Sequence, residues 1–296
     1  MESKQPRLKI ALQKSGKLSE GSIELLNKCG FNLRPAKNHF LIKSNELNTD
    51  FLMVRDDDIP GFIESNAADI GIIGENLFVE CNLAGINKNV EIISRLKFSY
   101  CRLSIAVSGS GKIKIIADLK GKTIATSYPA TLSNFLQKNK IEANIITMHG
   151  SVELAPKIGI ADAICDLVST GGTLKENGLV EIHVVLESEA ILVGRKSLNP
   201  EVKERVAELV FRLQSVIKAK NSKYIMLHID KSKVSKLKDI LPGCEAPTTL
   251  ELHGHPGKVA VHVVSQEDVF WETVAKLKGI GATSILVVSI EKMMEI

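Results

Sequence analysis

The sequence has no long hydrophobic segment. Across its 296 residues, no apolar stretch reaches the length of a membrane-spanning helix, and residues 1–8 are polar and lack the apolar core of a signal peptide. We therefore expect neither a membrane anchor nor export, and we expect the protein to act in the cytoplasm.

Patterns typical of zinc sites, disulfides and nucleic-acid binding are also missing. The five cysteines are odd in number and widely spaced, and none forms a Cys-x-x-Cys pair. We therefore expect reduced, mostly packed thiols. Basic residues are dispersed, and the formal net charge is only +4. This mild, scattered charge argues against a nucleic-acid-binding surface as the main function.

The sequence does contain a regular alternation of predicted strands and helices. With 44% hydrophobic and 24% charged residues, the chain has a globular composition, and its length suggests two or three domains. Residues 8–73 follow a β-α-β-β-α-β pattern. The middle of the chain repeats the theme, with predicted strands at residues 103–107, 123–126 and 144–147 and predicted helices at residues 131–137 and 152–158. This order predicts α/β domains with parallel or mixed sheets, which collect ligands at the carboxyl ends of their strands.

Three regions are expected. An Ala-Asp pair precedes an apolar strand and a glycine-containing turn twice, at residues 68–76 and 161–172, which suggests two similar lobes facing each other across a cleft. We assign lobe I to residues 1–98 and 182–221, and lobe II to residues 99–181. Residues 222–296 show a further β-α-β-β-α-β order, that of a ferredoxin-like domain, whose small size favours regulation or oligomerisation.

The strongest functional signal lies between an apolar strand of lobe II and a predicted helix. One acid, three hydroxyl residues and two glycines occur there: Asp166, Ser169, Thr170, Thr173, Gly171 and Gly172. The glycines have no Cβ to keep backbone amides from an anion, and the N–H groups of a following helix also favour a phosphate. The acid suits two vicinal ribose hydroxyls. The ordinary alternative is a capped strand-to-helix turn, but this combination favours a phosphorylated sugar.

Two basic positions follow predicted strands of lobe I. Lys14 begins a Lys-Ser-Gly-Lys turn that would suit phosphates, although it lacks the spaced leading glycine of a Walker A loop and could be a solvated turn. Arg55 precedes three aspartates at a strand end. These acids either contact a substrate or form a helix N-terminus, with Asp58 as its cap and Pro60 in its first turn.

Two further candidates lie where the lobes are expected to face each other. Gly74 and Glu75 follow a strand of lobe I at the position equivalent to the phosphate turn of lobe II. Arg102 is either an anion-binding group between the lobes or an ordinary salt-bridge partner. The sequence contains no convincing Ser-His-Asp or Cys-His combination for covalent catalysis.

Together, these motifs resemble the long form of ATP phosphoribosyltransferase, the first enzyme of histidine biosynthesis. The resemblance extends from residue 8 to residue 295 in order and spacing. The segments that carry it are 13–19, 54–61, 69–76, 101–104, 124–129, 150–153, 161–171, 222–226 and 270–273.

The resemblance implies a displacement at an anomeric carbon. N1 of the ATP adenine attacks C1 of phosphoribosyl pyrophosphate, and pyrophosphate leaves. Such a reaction passes through an oxocarbenium-like state, and the departing pyrophosphate requires Mg²⁺ and basic groups but no covalent nucleophile. The sequence does not identify the Mg²⁺ ligands.

Carried over by position, the resemblance assigns residues to each ligand. The phosphoribosyl loop falls on Asp166, Ser169, Thr170, Gly171, Gly172 and Thr173. The candidates for binding the nucleotide and the pyrophosphate are Lys14, Gly74, Glu75 and Arg102. Arg55 joins Asp166 as a candidate catalytic residue. The chain departs from its relatives at residues 130–134, where Ala-Thr-Leu-Ser-Asn replaces a common Leu-Leu pair and a basic residue.

The resemblance also implies regulation by histidine. The C-terminal domain is expected to bind histidine as a feedback inhibitor, with contacts from His228, Thr248 and Ser284. The family shifts between dimers and hexamers, so a homo-oligomer is expected.

Two other assignments remain open. The loop at residues 166–173 also resembles that of type I phosphoribosyltransferases, but two adjacent acids precede it there and Cys165 replaces the first one here. The two-lobed order resembles periplasmic binding proteins, so a cytoplasmic amino-acid-binding sensor is not excluded by fold alone. Pyrophosphate release in the presence of ATP would distinguish these possibilities.

Overall fold

A computed structural model describes residues 6–34, 40–241, 247–266 and 270–294 of the chain. The chain divides into two compact units, Met1–Leu209 and Val210–Ile296. Within the described ranges, no helix is long and apolar enough to cross a membrane. Cys29, Cys81 and Cys165 are buried free thiols and Cys101 is a half-buried one, which agrees with the predicted packed thiols, whereas Cys244 lies outside the described residues.

The first unit contains two lobes built from alternating strands and helices. In chain order, its elements are β1 (Leu8–Gln13), α1 (Lys17–Lys28), β2 (Leu41–Ser44), β3 (Thr49–Val54), α2 (Ile59–Glu64), β4 (Ile70–Gly74), α3 (Glu75–Leu83), β5 (Val90–Arg95), β6 (Cys101–Ser108), β7 (Thr123–Thr126), α4 (Pro129–Lys138), β8 (Asn144–Thr147), β9 (Ala163–Val168), α5 (Gly172–Glu176), β10 (Leu179–Ser188), β11 (Ala190–Arg195) and α6 (Pro200–Lys220), the last of which continues into the second unit.

Lobe I is built on a six-stranded sheet in the order β2-β3-β1-β4-β11-β5. Strand β1 is parallel to β3 and β4, whereas β11 is antiparallel to β4 and β5. Ile10 and Ala11 of β1 point to opposite faces, and both are fully buried. Because β1, β3 and β4 are parallel, the residues that follow them lie at one edge of the sheet. Lys14, Arg55 and Glu75 are therefore all carried at that edge.

Lobe II is built on a five-stranded sheet in the order β10-β6-β9-β7-β8. Strand β7 is parallel to β8 and β9, and β6 is antiparallel to β9 and β10. Ala163, Ile164 and Cys165 of β9 are fully buried. The carboxyl end of this buried strand leads into the predicted phosphate loop, so the lobe presents that loop from a rigid element.

The chain passes between the two sheets after β5 and again at Glu189. The first crossing lies between Arg95 and Cys101. The second differs from the predicted return at residue 182, because β10 pairs with β6 as far as Ser188. Residues 182–188 therefore belong to the sheet of lobe II. A strand's own pattern of side chains does not specify which of two sheets it joins.

Several local predictions also differ from the structure. Asp166 lies within β9 rather than beyond its end. The helix predicted at residues 152–158 is only a 3₁₀ turn, Val152–Leu154, because Pro156 and Gly159 do not support a continued helix. Asp58 precedes α2 as predicted, but its side chain makes no capping hydrogen bond. Strand β5 and helix α3 have no predicted counterpart.

The second unit contains a four-stranded antiparallel sheet. Its elements after α6 are β12 (Ser222–Asp230), α7 (Leu237–Ile240), β13 (Thr248–Glu251), β14 (Lys258–Gln266), α8 (Phe270–Gly279) and β15 (Thr283–Ser289). The strand order β13-β14-β12-β15, with every neighbouring pair antiparallel, is the predicted ferredoxin-like arrangement. Alternate residues Ile225, Leu227 and Ile229 of β12 form its core with Val261 and Leu277.

Candidate active site

The predicted phosphate loop forms an open turn between β9 and α5. Gly171 has φ of 81° and is the residue immediately before α5; this left-handed conformation favours glycine over residues with a Cβ. Leu174 is buried and anchors the turn, whereas Ser169, Thr170 and Thr173 are exposed. The hydroxyl groups and the first amides of α5 are therefore accessible to an anion.

Asp166 lies on β9, three residues before the loop. Its Oδ1 accepts a hydrogen bond of 2.8 Å from the Leu167 backbone N–H. Burial raises the pKa of its carboxyl; the hydrogen bond from Leu167 opposes this shift, and the nearby charge of Glu153 adds to it. A half-buried carboxylate whose second oxygen is available can accept hydrogen bonds from ribose hydroxyls.

Tyr128 joins the two lobes near Asp166. Its phenol oxygen accepts a hydrogen bond of 2.9 Å from the Asn76 side-chain amide of α3. Burial raises the pKa of Tyr128, and the charges of Asp166 from lobe II and Asp56 from lobe I add to the shift. The hydrogen bond from Asn76 connects Tyr128 of lobe II to helix α3 of lobe I.

A cleft of about 540 Å³ lies where the lobes meet. Residues from both lobes and both crossings line it: Glu75, Arg95, Tyr100, Cys101, Arg102, Ser169, Glu187, Ser188 and Glu189. Three predicted site residues, Glu75, Arg102 and Ser169, are thus brought together. Arg102 donates to the Ser169 carbonyl at 3.3 Å and pairs with Glu181 at 2.9 Å. It is thus a salt-bridge partner, and its role as an anion-binding group between the lobes stays a prediction.

Arg95 is the main cleft residue that the sequence did not reveal. Its guanidinium binds both carboxylate oxygens of Glu75, at 2.6 and 2.5 Å, and contacts Glu189 at 3.1 Å. These hydrogen bonds raise the pKa of Arg95. The guanidinium remains half exposed, but the two carboxylates that it contacts offset its charge.

The remaining predicted residues of lobe I lie outside this lining. The Lys14 ammonium lies 4.4 Å from the centre of the Phe40 ring. Arg55 forms two hydrogen bonds of 3.1 Å to Asp57 and is largely exposed. Gly74 directly precedes Glu75, and a Cβ at Gly74 would collide with the Asn76 side chain. Gly74 is therefore favoured by the position of the Asn76 side chain, whatever it contacts in a substrate.

The predicted effector residues lie on one sheet of the second unit. His228 of β12 faces Thr283 of β15, and the register shifts there. Ser284 follows with φ of 51°, so this irregular part of the ladder brings His228 and Ser284 close together. Thr248 lies on β13, on the other side of β14. Two of the three predicted contacts, His228 and Ser284, therefore lie near each other in the described sheet. The remaining one, Thr248, lies two strands away from β12.

Comparison with known proteins agrees with these features. A family model described as ATP phosphoribosyltransferase matches residues 55–215, and one described as HisG, C-terminal domain, matches residues 219–292. The ATP phosphoribosyl transferase (HisG:HisZ) complex from Thermotoga maritima contains a chain 28% identical to this one, with a TM-score of 0.59; the match covers 71% of this chain and 98% of that chain.

A more distant similarity is found to the alkanesulfonate-binding protein SsuA from Xanthomonas axonopodis pv. citri bound to MOPS, at 15% identity and a TM-score of 0.49, over 70% of this chain and 71% of that chain. The first family match alone spans more than half of the sequence. The chain therefore belongs to the ATP phosphoribosyltransferase family, in the long form that carries a C-terminal regulatory domain.

Proposed function

We propose that the cleft between lobes I and II is where this ATP phosphoribosyltransferase joins its two substrates. The enzyme links N1 of the adenine of ATP to C1 of phosphoribosyl pyrophosphate and releases pyrophosphate, as the first step of histidine biosynthesis. The placement is carried by one observation: Glu75 and Arg95 of lobe I meet Arg102 and Ser169 of lobe II around a single cleft. Each lobe can then contribute to a two-substrate site.

The phosphoribosyl group is assigned to lobe II. The exposed hydroxyls of Ser169, Thr170 and Thr173 and the amides at Gly171 and Gly172 suit the 5-phosphate, because the loop is open and begins a helix. Asp166 faces the ribose hydroxyls. The spacing of Asp166 and Ser169 supports this assignment. Three strand residues span roughly 10 Å, which is comparable to the length of a ribose 5-phosphate.

The leaving pyrophosphate and the nucleotide are assigned to the charged cleft lining. As the N1–C1 bond forms and the C1–O bond breaks, the electron pair leaves with pyrophosphate, and fixed cations lower the cost of that charge. Arg102 is placed to serve this role, with Arg95 on the opposite side and Glu75 orienting Arg95. Lys14 and Arg55 remain candidates at the adjoining sheet edge, where Arg55 would have to leave Asp57 to contact a substrate.

Mg²⁺ is assigned to the substrate complex. Within the described residues, no group of three or more His, Cys, Asp or Glu side chains could hold a metal by itself. Mg²⁺ commonly keeps several waters and needs only one or two carboxylates besides substrate phosphates. The Asp166 carboxylate, whose Oδ1 accepts a hydrogen bond from the Leu167 N–H, would offer its second oxygen to such an ion. Bound there with pyrophosphate, Mg²⁺ would neutralise part of the leaving-group charge.

Regulation by histidine is assigned to the second unit. His228 and Ser284 lie together at the irregular β12–β15 pairing, where side chains and strained backbone can form a pocket for an amino acid. The position of Thr248 on the far edge strand supports a site completed in a homo-oligomer, either dimer or hexamer. Substrates such as ATP and phosphoribosyl pyrophosphate also support action in the cytoplasm.

The placement is tested by substituting Asp166 and measuring pyrophosphate release. We expect Asp166→Asn to lower kcat/KM for phosphoribosyl pyrophosphate by about 100-fold, because the ribose would lose its charged acceptor. The matched control is Asp162→Asn. Asp162 is an exposed acid just before β9 that accepts a hydrogen bond from Thr123. Near-normal activity of Asp166→Asn, or release with other bases but not with ATP, would contradict the proposal.

A further inference from the structure

The first amides of helix α4 in lobe II donate hydrogen bonds to a carboxylate of lobe I. Tyr128 occupies its capping position and makes no side-chain capping bond, and Pro129 at its first turn has no N–H to donate. The next two amides are satisfied by the carboxylate of Glu80 from α3. Glu80 accepts hydrogen bonds of 2.8 Å from the Ala130 N–H and of 2.8 and 2.6 Å from the Thr131 N–H and hydroxyl.

This α3–α4 contact is suited to a negatively charged side chain. Three hydrogen bonds to one carboxylate are charge-assisted, and the N-terminus of a helix carries partial positive charge. Thr131 is buried and Glu80 is half buried, so water competes only partly for the carboxylate. The bonds connect residues that are 50 and 51 positions apart and belong to helices of different lobes.

The α3–α4 contact also lies on the same helix face as the contacts that hold Tyr128. Asn76 precedes Glu80 by one turn of α3 and donates to the Tyr128 phenol oxygen. Its backbone N–H donates to Ser188, just before the second crossing. One face of α3 therefore fixes the start of α4 and the chain crossing at the same time.

We propose that Glu80 is a positioning residue that sets the distance between the two halves of the substrate site. Helix α3 begins at Glu75, which lines the cleft, and α4 follows Tyr128, so a shift at the α3–α4 contact moves the lobe I lining relative to lobe II. The proposal rests on the assignment of both substrates to the cleft. Glu80 itself is not among the residues that line the cleft and acts through the lobes it joins.

The test compares Glu80→Gln with Glu64→Gln. Glutamine keeps the size of the side chain but supplies only one acceptor oxygen, so some of the α4 donors lose their partner. Glu64 is a matched control, because its carboxylate also accepts a backbone N–H and a side-chain group, from Asn89, but within lobe I alone. Spin labels on genetically encoded residues at the exposed positions Lys43 and Lys120 report the distance between the lobes.

We expect Glu80→Gln to broaden the distribution of label distances and to raise KM for both substrates by about tenfold, the effect of losing one charged hydrogen bond, with kcat changed less than KM. Thr131→Ser, which keeps the hydroxyl, should behave like the parent enzyme. Glu64→Gln should change neither distances nor KM. Unchanged label distances in Glu80→Gln would overturn the role proposed for Glu80, whereas broadened distances with unchanged KM would overturn the placement of the substrates in the cleft.

Discussion

Asn76 and Ser188 exchange two hydrogen bonds across 112 positions of sequence. The Asn76 backbone N–H donates to the Ser188 hydroxyl at 3.0 Å, and that hydroxyl donates to the Asn76 side-chain oxygen at 2.8 Å. Both residues are buried. The first turn of α3 is thereby tied to the end of β10, where the chain is about to return to lobe I.

Replacing this hydroxyl should destabilise the first unit. We expect Ser188→Ala to lower the free energy of unfolding by roughly 1–3 kcal/mol, because it leaves a buried amide N–H and a buried side-chain oxygen without their partner. Urea denaturation measures the change. Ser22→Ala is the control, since Ser22 is equally buried but makes only a local bond to the Leu18 carbonyl. Equal losses of unfolding free energy in the two variants would contradict the conclusion that the bonds between Ser188 and Asn76 stabilise the first unit.

A methyl group at Gly171 should impair the phosphate loop. With φ of 81° at this position, Gly171→Ala should cost about 1 kcal/mol of stability or shift the loop. The result should be a higher KM for phosphoribosyl pyrophosphate in steady-state assays. Gly61→Ala is the opposite case, because Gly61 lies in α2 with open space around it, and alanine should stabilise that helix. An unchanged KM in Gly171→Ala would contradict the assignment of the loop.

The pH dependence of substrate capture should report the environment of Asp166. Its pKa is raised above the ordinary 3.8, chiefly by burial. Because the ionised form binds ribose, kcat/KM for phosphoribosyl pyrophosphate should fall at a higher pH than expected for an exposed aspartate as the solution is acidified. Removing a neighbouring negative charge lowers such a pKa. Glu153→Gln should therefore move the acidic limb to lower pH.

The control for this experiment is Glu142→Gln, which removes an exposed charge outside the cleft lining. If the acidic limb of the kcat/KM profile stays in place in Glu153→Gln, or moves equally in both variants, then Glu153 does not affect the pKa of Asp166.

Removal of the C-terminal domain should abolish feedback inhibition. A chain ended after Lys220 keeps the whole of α6 and both lobes, so we expect pyrophosphate release to persist without inhibition by histidine. The full-length variant His228→Gln should weaken inhibition while preserving the fold. Inhibition that survives in an active truncated enzyme would place the effector site in the lobes.

Strands with simple burial patterns were predictable from the sequence. Thr123–Thr126 and Asn144–Thr147 were predicted with the bounds that the structure shows, and the phosphate loop follows its strand as expected. Helix α3 was missed because it has no single apolar stripe. Phe78 packs into the core of lobe I, whereas Glu80 faces lobe II and the polar Asn76 is buried.

The charged part of the cleft could not be predicted in the same way. Arg95, Glu75 and Glu189 come together only because β5, β4 and β11 are neighbours in one sheet. No local periodicity or motif connects these three residues in the sequence. Similarly, the alternation in β10 indicates a strand but not its partner, which is why the return crossing was placed several residues early.

The insertion of β11 between β4 and β5 has a consequence for synthesis. All five strands of the lobe II sheet have been made once Ser188 is added, whereas the lobe I sheet lacks an internal strand until Arg195 follows. The lobe that comes second in the sequence can thus finish pairing first on the ribosome. Until then, β4 and β5 each present an unpaired edge, the kind of surface that nascent chains use to aggregate. A translational pause that delays the emergence of β11 would therefore prolong the exposure of these two edges.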